Sequence, residues 1–210
     1  MQKDDLVGFT QKAIGYFKNP EGVKKVTNWA TWAAIGVLVI FGYMTYSNNI
    51  NSGVAKQLIA HEQRYYNGEI DLAITNFKTL IKDYPGSKYI GEAYFYLGQS
   101  YYKNKNYDEA AANLEMAVKK GMPDILRPSC YNALAYAYEE KGDLEKASAT
   151  YATIVKKEKN YYAKDEVLVN WARVLNQMNK PAEAKTKYQE LVDKFPTSVW
   201  YSKAKEMLVR

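Results

Sequence analysis

The chain has 210 residues, and 29 lysines and arginines against 23 aspartates and glutamates give it a net charge of +6 at pH 7. The charges alternate along the sequence rather than forming a basic stripe, and no recognition motif appears, so nothing indicates nucleic-acid binding. The single cysteine excludes an intramolecular disulfide bond.

The first predicted element is a cytoplasmic amphipathic segment at residues 1–19. Its apolar side chains fall on one helical face, and they are Leu6, Phe9, Ala13, Ile14 and Phe17. A short amphipathic helix before a membrane span usually lies along the membrane interface, and a docking helix for a membrane partner is the alternative. Asn19 followed by Pro20 predicts the start of a new helix.

The second predicted element is a transmembrane helix, which with its flanks takes up residues 20–50. No charged residue occurs between Val26 and Ala55. A helix from Val26 to Tyr46 is about 31 Å long at 1.5 Å per residue, enough for a hydrocarbon core of about 30 Å. Aromatic residues stand near both ends, as interfacial residues do, and they are Trp29, Trp32, Tyr43 and Tyr46.

Two alternatives to a membrane span are a buried core helix and a cleaved signal peptide. A core helix needs a domain to bury it, yet the repeats described below start only after this segment. A signal peptide has an apolar stretch of about 7–15 residues followed closely by a small-x-small site, and the nearest such site, Gly53-Val54-Ala55, lies well past the apolar run. We therefore predict an uncleaved, single-pass anchor in contact with the lipid bilayer.

The flanking lysines predict the orientation of this anchor. Lys24 and Lys25 stand just before the apolar segment, and the first basic residue after it is Lys56. The positive-inside rule therefore keeps the N-terminus in the cytoplasm and exports the C-terminal domain. In a bacterium, the protein would lie in the inner membrane with that domain in the periplasm.

The remaining chain is predicted to contain four copies of one unit between residues 51 and 196. Four alanines are spaced by 37 residues without slippage, and they are Ala73, Ala110, Ala147 and Ala184. Self-similarity at a fixed period is typical of a solenoid. In the second copy, apolar and small residues form two successive helical stripes, and these are Tyr94, Leu97, Gly98 and Tyr101, then Ala110, Leu114 and Ala117. Each unit is therefore a predicted pair of helices, and the fold class is all-α.

This pattern resembles the tetratricopeptide repeat, which reads W-x2-L-G-x2-Y, then A-x3-F, then P. The second copy reads Tyr94-x2-Leu97-Gly98-x2-Tyr101 and then Ala110-x3-Leu114. The usual period is 34 residues, so each unit carries about three more, which we expect after the second helix. The predicted repeats are about 54–90, 91–127, 128–164 and 165–196.

A last helix is predicted at residues 197–210. Trp200, Ala204 and Leu208 form its apolar face. Because the last unit of a solenoid otherwise exposes its stacking face, this segment is a predicted capping helix.

The resemblance implies that partners bind a concave groove lined by the first helix of each pair. Carried over position by position, the predicted partner-binding residues are Tyr65, Tyr66, Phe95, Gln99, Tyr102, Asn132, Tyr136, Arg173 and Asn176. The Lys and Asn pattern by which chaperone-binding members hold a C-terminal carboxylate is not present at these positions. Aromatic side chains there could be binding hot spots, although tyrosine also fills half-buried positions throughout this chain. Arg173 is the predicted polar anchor.

No catalytic or metal-binding pattern is visible. His61 is the only histidine, so the paired histidines of a zinc protease are missing, and no glycine-rich phosphate loop or nucleophile elbow occurs. Cys130 lies beside a helix-packing tyrosine and is predicted to be a buried small hydrophobe. The sequence therefore predicts no enzyme, no cofactor, no metal and no small-molecule substrate.

The layout of a short N-terminus, one span and an exported repeat domain is similar to the YfgM-type proteins. That bacterial inner-membrane family is associated with the Sec translocon and periplasmic chaperones. The resemblance implies an adaptor or scaffold that contacts a membrane complex, a chaperone or exported clients. The alternative is a structural subunit or assembly factor of a larger membrane complex.

Overall fold

The computed structural model describes residues 11, 12, 14, 15, 18, 20–158 and 161–209. It divides into two compact units, Met1–Ile50 and Asn51–Arg210, and each is described by itself. Most of the predicted amphipathic segment lies outside the described residues, as does the predicted cap at Asn19. Both therefore stay predictions.

The first long element is helix α1, Pro20–Tyr66, which has 47 residues and contains the boundary between the two units. Among the described residues, one stretch, Val23–Tyr66, is long and apolar enough to cross a membrane, and none of its most apolar 18-residue window is buried. A core helix would be mostly buried, so this exposure argues against the core-helix alternative. The sequence did not predict that one unbroken helix would contain both the apolar segment and the start of the repeats.

The second unit is a solenoid of helix pairs, as the sequence predicted. After α1, its helices are α2 (Ile70–Asp83), α3 (Ile90–Lys103), α4 (Tyr107–Lys120), α5 (Arg127–Lys141), α6 (Leu144–Lys157), α7 (Lys164–Gln177), α8 (Pro181–Lys194) and α9 (Tyr201–Val209). The loops inside each pair have two or three residues, and the loops after α2, α4, α6 and α8 have six. The additional residues of the 37-residue period therefore lie after the second helix.

Small side chains allow the paired helices to cross closely. The repeated alanines Ala73, Ala110 and Ala147 are 0% exposed, and Ala184 is 1% exposed. At Gly98, an added Cβ would lie 2.6 Å from the Cγ of Leu114 and 3.1 Å from the Ala110 carbonyl oxygen. Because protein interiors are packed to near-crystalline density, a larger residue at any of these repeated positions would push the paired helices apart.

Helix α9 covers the end of the solenoid. It begins 37 residues after α7, so it occupies the place of a first helix in a further unit. Ala204 is fully buried in a cluster that contains Leu175, Tyr188 and Leu191. The predicted capping helix is therefore present, although Trp200, assigned to its apolar face, stands just before the helix and is 38% exposed.

Candidate functional site

The candidate site is a groove formed by the end of α1 together with α3, α5, α7 and α9. Helical side chains three and four positions apart share one face, so the spacing of Gln99 and Tyr102 on α3 directs both to the same side. Tyr136 on α5 and Arg173 on α7 stand 37 and 74 residues after Gln99. The repeat period thus brings equivalent positions of separate helices into one groove.

The first pocket of this groove has a volume of about 260 Å³. It is lined by Tyr65, Gln99, Tyr102, Lys103, Ala133 and Tyr136. The Tyr65 hydroxyl donates to Oε1 of Gln99 at 3.2 Å, and the ammonium nitrogen of Lys103 lies 3.7 Å from the centroid of the Tyr65 ring. Four predicted residues therefore meet around one largely aromatic cavity.

The second pocket has a volume of about 670 Å³ and opens between α7 and α9. It is lined by Val169, Asn170, Arg173, Asn176, Gln177, Tyr188, Trp200, Lys203 and Met207. Arg173 and Asn176 were predicted, whereas the three residues from α9 and its approach were missed. The apolar pattern of α9 predicted only a cap, but Trp200 and Lys203 also line the groove.

A hydrogen-bonded tyrosine joins the two pockets. Tyr136 lines the first pocket, and its hydroxyl accepts a hydrogen bond from Nδ2 of Asn170, which lines the second, at 2.8 Å. The same hydroxyl donates to Oε1 of Glu166. The pockets are therefore neighbours along the groove rather than separate depressions.

The predicted polar anchor, Arg173, is held by an ion pair across two repeats. Its guanidinium lies 2.6 Å from Oε2 of Glu139, a carboxylate whose side chain is 7% exposed. The other oxygen of Glu139 accepts the Tyr151 hydroxyl. Buried charges need partners, and Glu139 has two, so Arg173 is fixed in place while its own side chain stays 46% exposed.

Three of the predicted residues do not line either pocket. Phe95 is 4% exposed and its ring packs 5.2 Å from that of Tyr96, so this side chain contributes to the core. Tyr66 is 66% exposed and contacts neighbouring rings, while the Oδ1 atom of Asn132 is buried without a hydrogen-bond partner among the described residues. These three residues were predicted from their positions within the repeat. Such a position gives the direction of a side chain around its helix only to within part of a turn, so the rotation of each helix decides whether the side chain lines a pocket.

The tyrosines of the groove are neutral hydrogen-bond donors. Burial, with a neighbouring tyrosine, raises the pKa of Tyr65 to about 12. Burial and a hydrogen bond to Glu166 also raise the pKa of Tyr136. The rings therefore offer apolar faces and fixed hydroxyl dipoles, but no negative charge, to a bound molecule.

Groups able to do covalent or metal chemistry are not assembled in the described part of the chain. No set of three histidine, cysteine, aspartate or glutamate side chains there could hold a metal ion. Burial and Arg64 lower the pKa of His61. Burial raises the pKa of the Cys130 thiol to about 12, which keeps it protonated and unreactive.

The predicted membrane-interface residues lie in the first unit. Trp29, Trp32, Tyr43 and Tyr46 are 66–74% exposed, and Lys24 and Lys25 are exposed as well. Trp29 and Tyr46 stand 17 positions apart on α1, which corresponds to about 26 Å at 1.5 Å per residue. That separation is close to the thickness of a bilayer core of about 30 Å.

Comparisons with known proteins agree on the fold. A family model described as "Tetratricopeptide repeat-like domain" matches residues 24–207. The structure is similar to TPR-like repeats of a putative kinesin light chain from Podosopora anserina, with a TM-score of 0.60, 17% identity, and coverage of 76% of this chain and 85% of that one.

Two further solved structures are similar. For a tetratricopeptide repeat protein from Parabacteroides merdae, the TM-score is 0.63 at 17% identity, with coverage of 74% of this chain and 58% of that one. For YrrB, described as a TPR protein with an unusual peptide-binding site, it is 0.58 at 15% identity, with coverage of 72% of each chain. No curated protein sequence matches the chain. At these identities, the similar structures establish the fold alone.

Proposed function

The chain belongs to the tetratricopeptide repeat-like domain family, and from that premise we propose that it is a membrane-anchored adaptor whose groove binds a segment of another protein. Repeats of this fold are protein–protein interaction scaffolds and are generally non-catalytic. The observation that carries the proposal is the groove itself, in which two adjoining pockets are lined by aromatic, amide and basic side chains.

The lining of the first pocket favours part of a polypeptide. Three tyrosine rings and Ala133 lie there beside Gln99 and Lys103. Half-buried aromatic residues are typical anchors at protein interfaces. One of the similar structures, YrrB, is described as having a peptide-binding site, which supports the same kind of ligand here.

The apolar part of α1 is proposed to be the membrane anchor. Its most apolar window is not buried by protein, and its exposed tryptophans and tyrosines have the spacing of interfacial residues. A signal sequence near the N-terminus would satisfy the same criteria of length and composition. The family match begins at residue 24 and includes the apolar segment, which favours a helix retained in the working protein.

The orientation and partners are proposed from the flanking charges and the layout. Lys24 and Lys25 precede the apolar segment, and the next basic residue is Lys56, so the second unit lies on the exported side under the positive-inside rule. In a bacterium, this unit lies in the periplasm, with the anchor in the inner membrane. The translocon, chaperones and exported clients are the partners that the resemblance to YfgM-type proteins supports.

The predicted division of the chain is kept as part of this proposal. Residues 1–19 are the cytoplasmic segment, 20–50 the anchor and its flanks, 51–196 the repeats and 197–210 the cap. The boundary between the two compact units, at Ile50 and Asn51, is the observation that supports a division there.

A second candidate function is that of a subunit or assembly factor in a larger complex. Two large apolar side chains outside the groove favour it, because Ile125 is 84% exposed and Tyr162 is 86% exposed. Both line a pocket between the loops after α4 and α6. A permanent neighbour would cover such residues.

Site-specific photo-crosslinking in native membranes separates the two functions. A photoreactive amino acid is placed at Tyr102 or Lys103 in the groove, and, as the matched control, at Ile125 or Tyr162 in the loops. An adaptor gives defined adducts from the groove positions. Adducts from the loop positions alone would instead support the complex-subunit function.

A variant test complements the crosslinks. Tyr102→Ala should lower partner recovery about tenfold or more, because buried aromatic anchors often contribute about 2 kcal/mol at an interface. Tyr162→Ala is the control outside the groove. Phe95→Ala is unsuitable, because removing a buried phenylalanine costs about 3–5 kcal/mol of stability. Full recovery by a folded Tyr102→Ala protein would rule out binding at the first pocket.

A further inference from the structure

The four longer loops of the second unit share one edge of the solenoid, and we propose that this edge docks on a bilayer surface with anionic headgroups. Helices joined by short connections are antiparallel neighbours, so the loops after α2, α4, α6 and α8 all lie on the same side. This side, the long-loop edge, consists of residues 84–89, 121–126, 158–163 and 195–200. The inference rests on the proposed membrane anchor and goes beyond the proposed binding groove.

A row of exposed apolar side chains follows the long-loop edge. Ile125, Tyr162 and Val199 are spaced by 37 residues, so they occupy the same position in three successive units. They are 84%, 86% and 88% exposed. In the described chain, the short loops on the opposite edge have no large apolar side chain of high exposure, and these loops are residues 67–69, 104–106, 142–143 and 178–180. The apolar row therefore distinguishes one edge from the other.

Basic side chains stand beside the apolar row. Helix α4 ends with Lys119 and Lys120, and α6 ends with Lys156 and Lys157. All four are exposed, and none forms an ion pair with another described residue. Lysines at the end of a helix also suit the helix dipole, but that role leaves their ammonium groups open to an external anion.

The acidic side chains of the same region do not cancel this charge. Residues 119–127 and 156–166 contain seven lysines and arginines against four aspartates and glutamates. Arg127 pairs with two of the carboxylates, since its guanidinium lies 2.6 Å from Oδ1 of Asp124 and 2.8 Å from Oε1 of Glu158. Glu158 is also only 8% exposed. The middle of the long-loop edge is therefore positive and complementary to an anionic surface.

This composition favours lipid over protein as the occupant. Lysine is depleted at protein–protein interfaces, whereas lysines beside exposed aliphatic and aromatic side chains are typical of surfaces that lie on a membrane. Tyrosine, as at Tyr162, is enriched where lipid meets water. Each lysine near an anionic leaflet strengthens binding about fivefold. Because the proposed anchor belongs to the same chain, docking is intramolecular, and weak individual contacts are sufficient.

The experiment measures lipid contact with single fluorescent labels on the full chain in lipid nanodiscs. Burial raises the pKa of the thiol of Cys130, the only cysteine of the chain, to about 12, so an introduced cysteine reacts selectively with an NBD label. The labelled variants are Ile125→Cys, Tyr162→Cys and Val199→Cys. Asn106→Cys, at an exposed position on the opposite edge, is the matched control.

Two lipid compositions test the charge dependence. The nanodiscs contain phosphatidylcholine alone or phosphatidylcholine with phosphatidylglycerol, and each is prepared with and without a spin-labelled lipid that quenches NBD. The three labels of the apolar row should be quenched in the anionic discs and more weakly in the neutral ones, because the lysines favour an anionic surface. The Asn106 label should stay unquenched in both. A label at Leu38→Cys, in the apolar part of α1, reports on the anchor and should be quenched in both.

Charge variants test the lysines, with the label at Val199. Lys120→Gln combined with Lys157→Gln should lower the docking equilibrium constant in anionic discs about 25-fold, because two contributions of about fivefold are removed. Lys105→Gln combined with Lys185→Gln, at exposed positions toward the opposite edge, is the control with the same change of net charge.

An apolar variant tests the row itself. Ile125→Ser should lower the docking equilibrium constant about tenfold, because an isoleucine side chain that would leave water stays exposed less favourably than a serine. Ile59→Ser, at a position that is 63% exposed on α1, is the matched control.

Contrary results overturn the inference in distinguishable ways. Quenching at Leu38 without quenching in the apolar row would overturn the docking and leave the proposed anchor in place. Absence of quenching at Leu38 would overturn the anchor and the docking together. Equal quenching in neutral and anionic discs, or equal effects of the two lysine pairs, would overturn the recognition of anionic headgroups. Unquenched labels together with protein crosslinks from Ile125 or Tyr162 would assign the edge to a neighbouring protein.

Discussion

Small side chains set the distance between paired helices in every repeat. Ala110 and Ala147 are fully buried, and the position of Gly98 leaves no room for a Cβ beside Leu114. The alanines that recur every 37 residues therefore mark the positions where the paired helices cross.

Ala110→Leu tests this packing. The larger side chain should overpack the crossing of α3 and α4 and lower the free energy of unfolding by about 1–3 kcal/mol. Ala112→Leu, at an exposed position of the same helix, should change it by less than about 0.5 kcal/mol. The comparison is made by urea unfolding of the full chain in detergent, and equal effects of the two changes would contradict the assignment.

Buried ionisable groups predict a loss of stability at alkaline pH. Burial raises the pKa of the Cys130 thiol to about 12, and burial with a hydrogen bond to Glu139 raises the pKa of Tyr151. Both groups are protonated when folded, so their contribution is fully present below the unfolded values of about 9 and 10. It is lost as the pH rises toward the folded values.

Tyr151→Phe separates the two contributions to this pH dependence. The free energy of unfolding of the wild type should fall as pH rises above about 9, and the fall should be shallower in Tyr151→Phe, which has one ionising group fewer. At neutral pH the variant should lose about 1–3 kcal/mol, because a hydrogen bond to a charged group is removed. The control is Tyr162→Phe, at an 86% exposed position. Identical alkaline slopes for wild type and Tyr151→Phe would contradict the assignment.

The ends of the solenoid differ from its middle. Helix α1 continues from the apolar segment into the first repeat without a break. Helix α9 at the other end both covers the terminal core and contributes Lys203 to the second pocket. Both terminal elements therefore have features that an ordinary repeat lacks.

Removal of the capping helix α9 should lower the stability of the solenoid, and any effect on binding should be secondary. Deletion from Val199 onward uncovers Leu175, Tyr188 and Leu191, and we expect aggregation or loss of cooperative unfolding because an uncapped solenoid exposes its stacking face. Circular dichroism melts with light scattering measure both effects. Ala204→Glu should reproduce the defect, whereas Ser202→Glu, at an exposed position, should not. An unchanged melting curve after the deletion would contradict a capping role.

The proposed membrane topology of the protein has a direct test. Protease added to intact spheroplasts should remove the chain beyond residue 50 and leave a small protected N-terminal fragment, because the positive-inside rule exports the repeats. As the control, the same digestion is carried out after lysis, which exposes both sides of the membrane to the protease. Protection of residues 151–210 in intact spheroplasts would reverse the proposed orientation.

The repeat architecture could be predicted from the sequence alone. A period of 37 residues and two helical stripes per period are local patterns, and local patterns fix helix boundaries and core faces because both depend on spacing along one chain. The lining of the groove by the first helix of each pair was implied by the resemblance to the tetratricopeptide repeat. Tyr65, Gln99, Tyr102 and Tyr136 line the first pocket, and their part in binding a partner stays a prediction.

How these faces combine could not be predicted from the sequence. The pairing of Arg173 with Glu139 joins residues 34 positions apart, the burial of Phe95 depends on how far α3 is rotated, and the second pocket requires α9 to pack beside α7. These features depend on the rotation and translation from one helix pair to the next. The packing of all the buried side chains together sets this rotation and translation. No single repeated position in the sequence therefore specifies them.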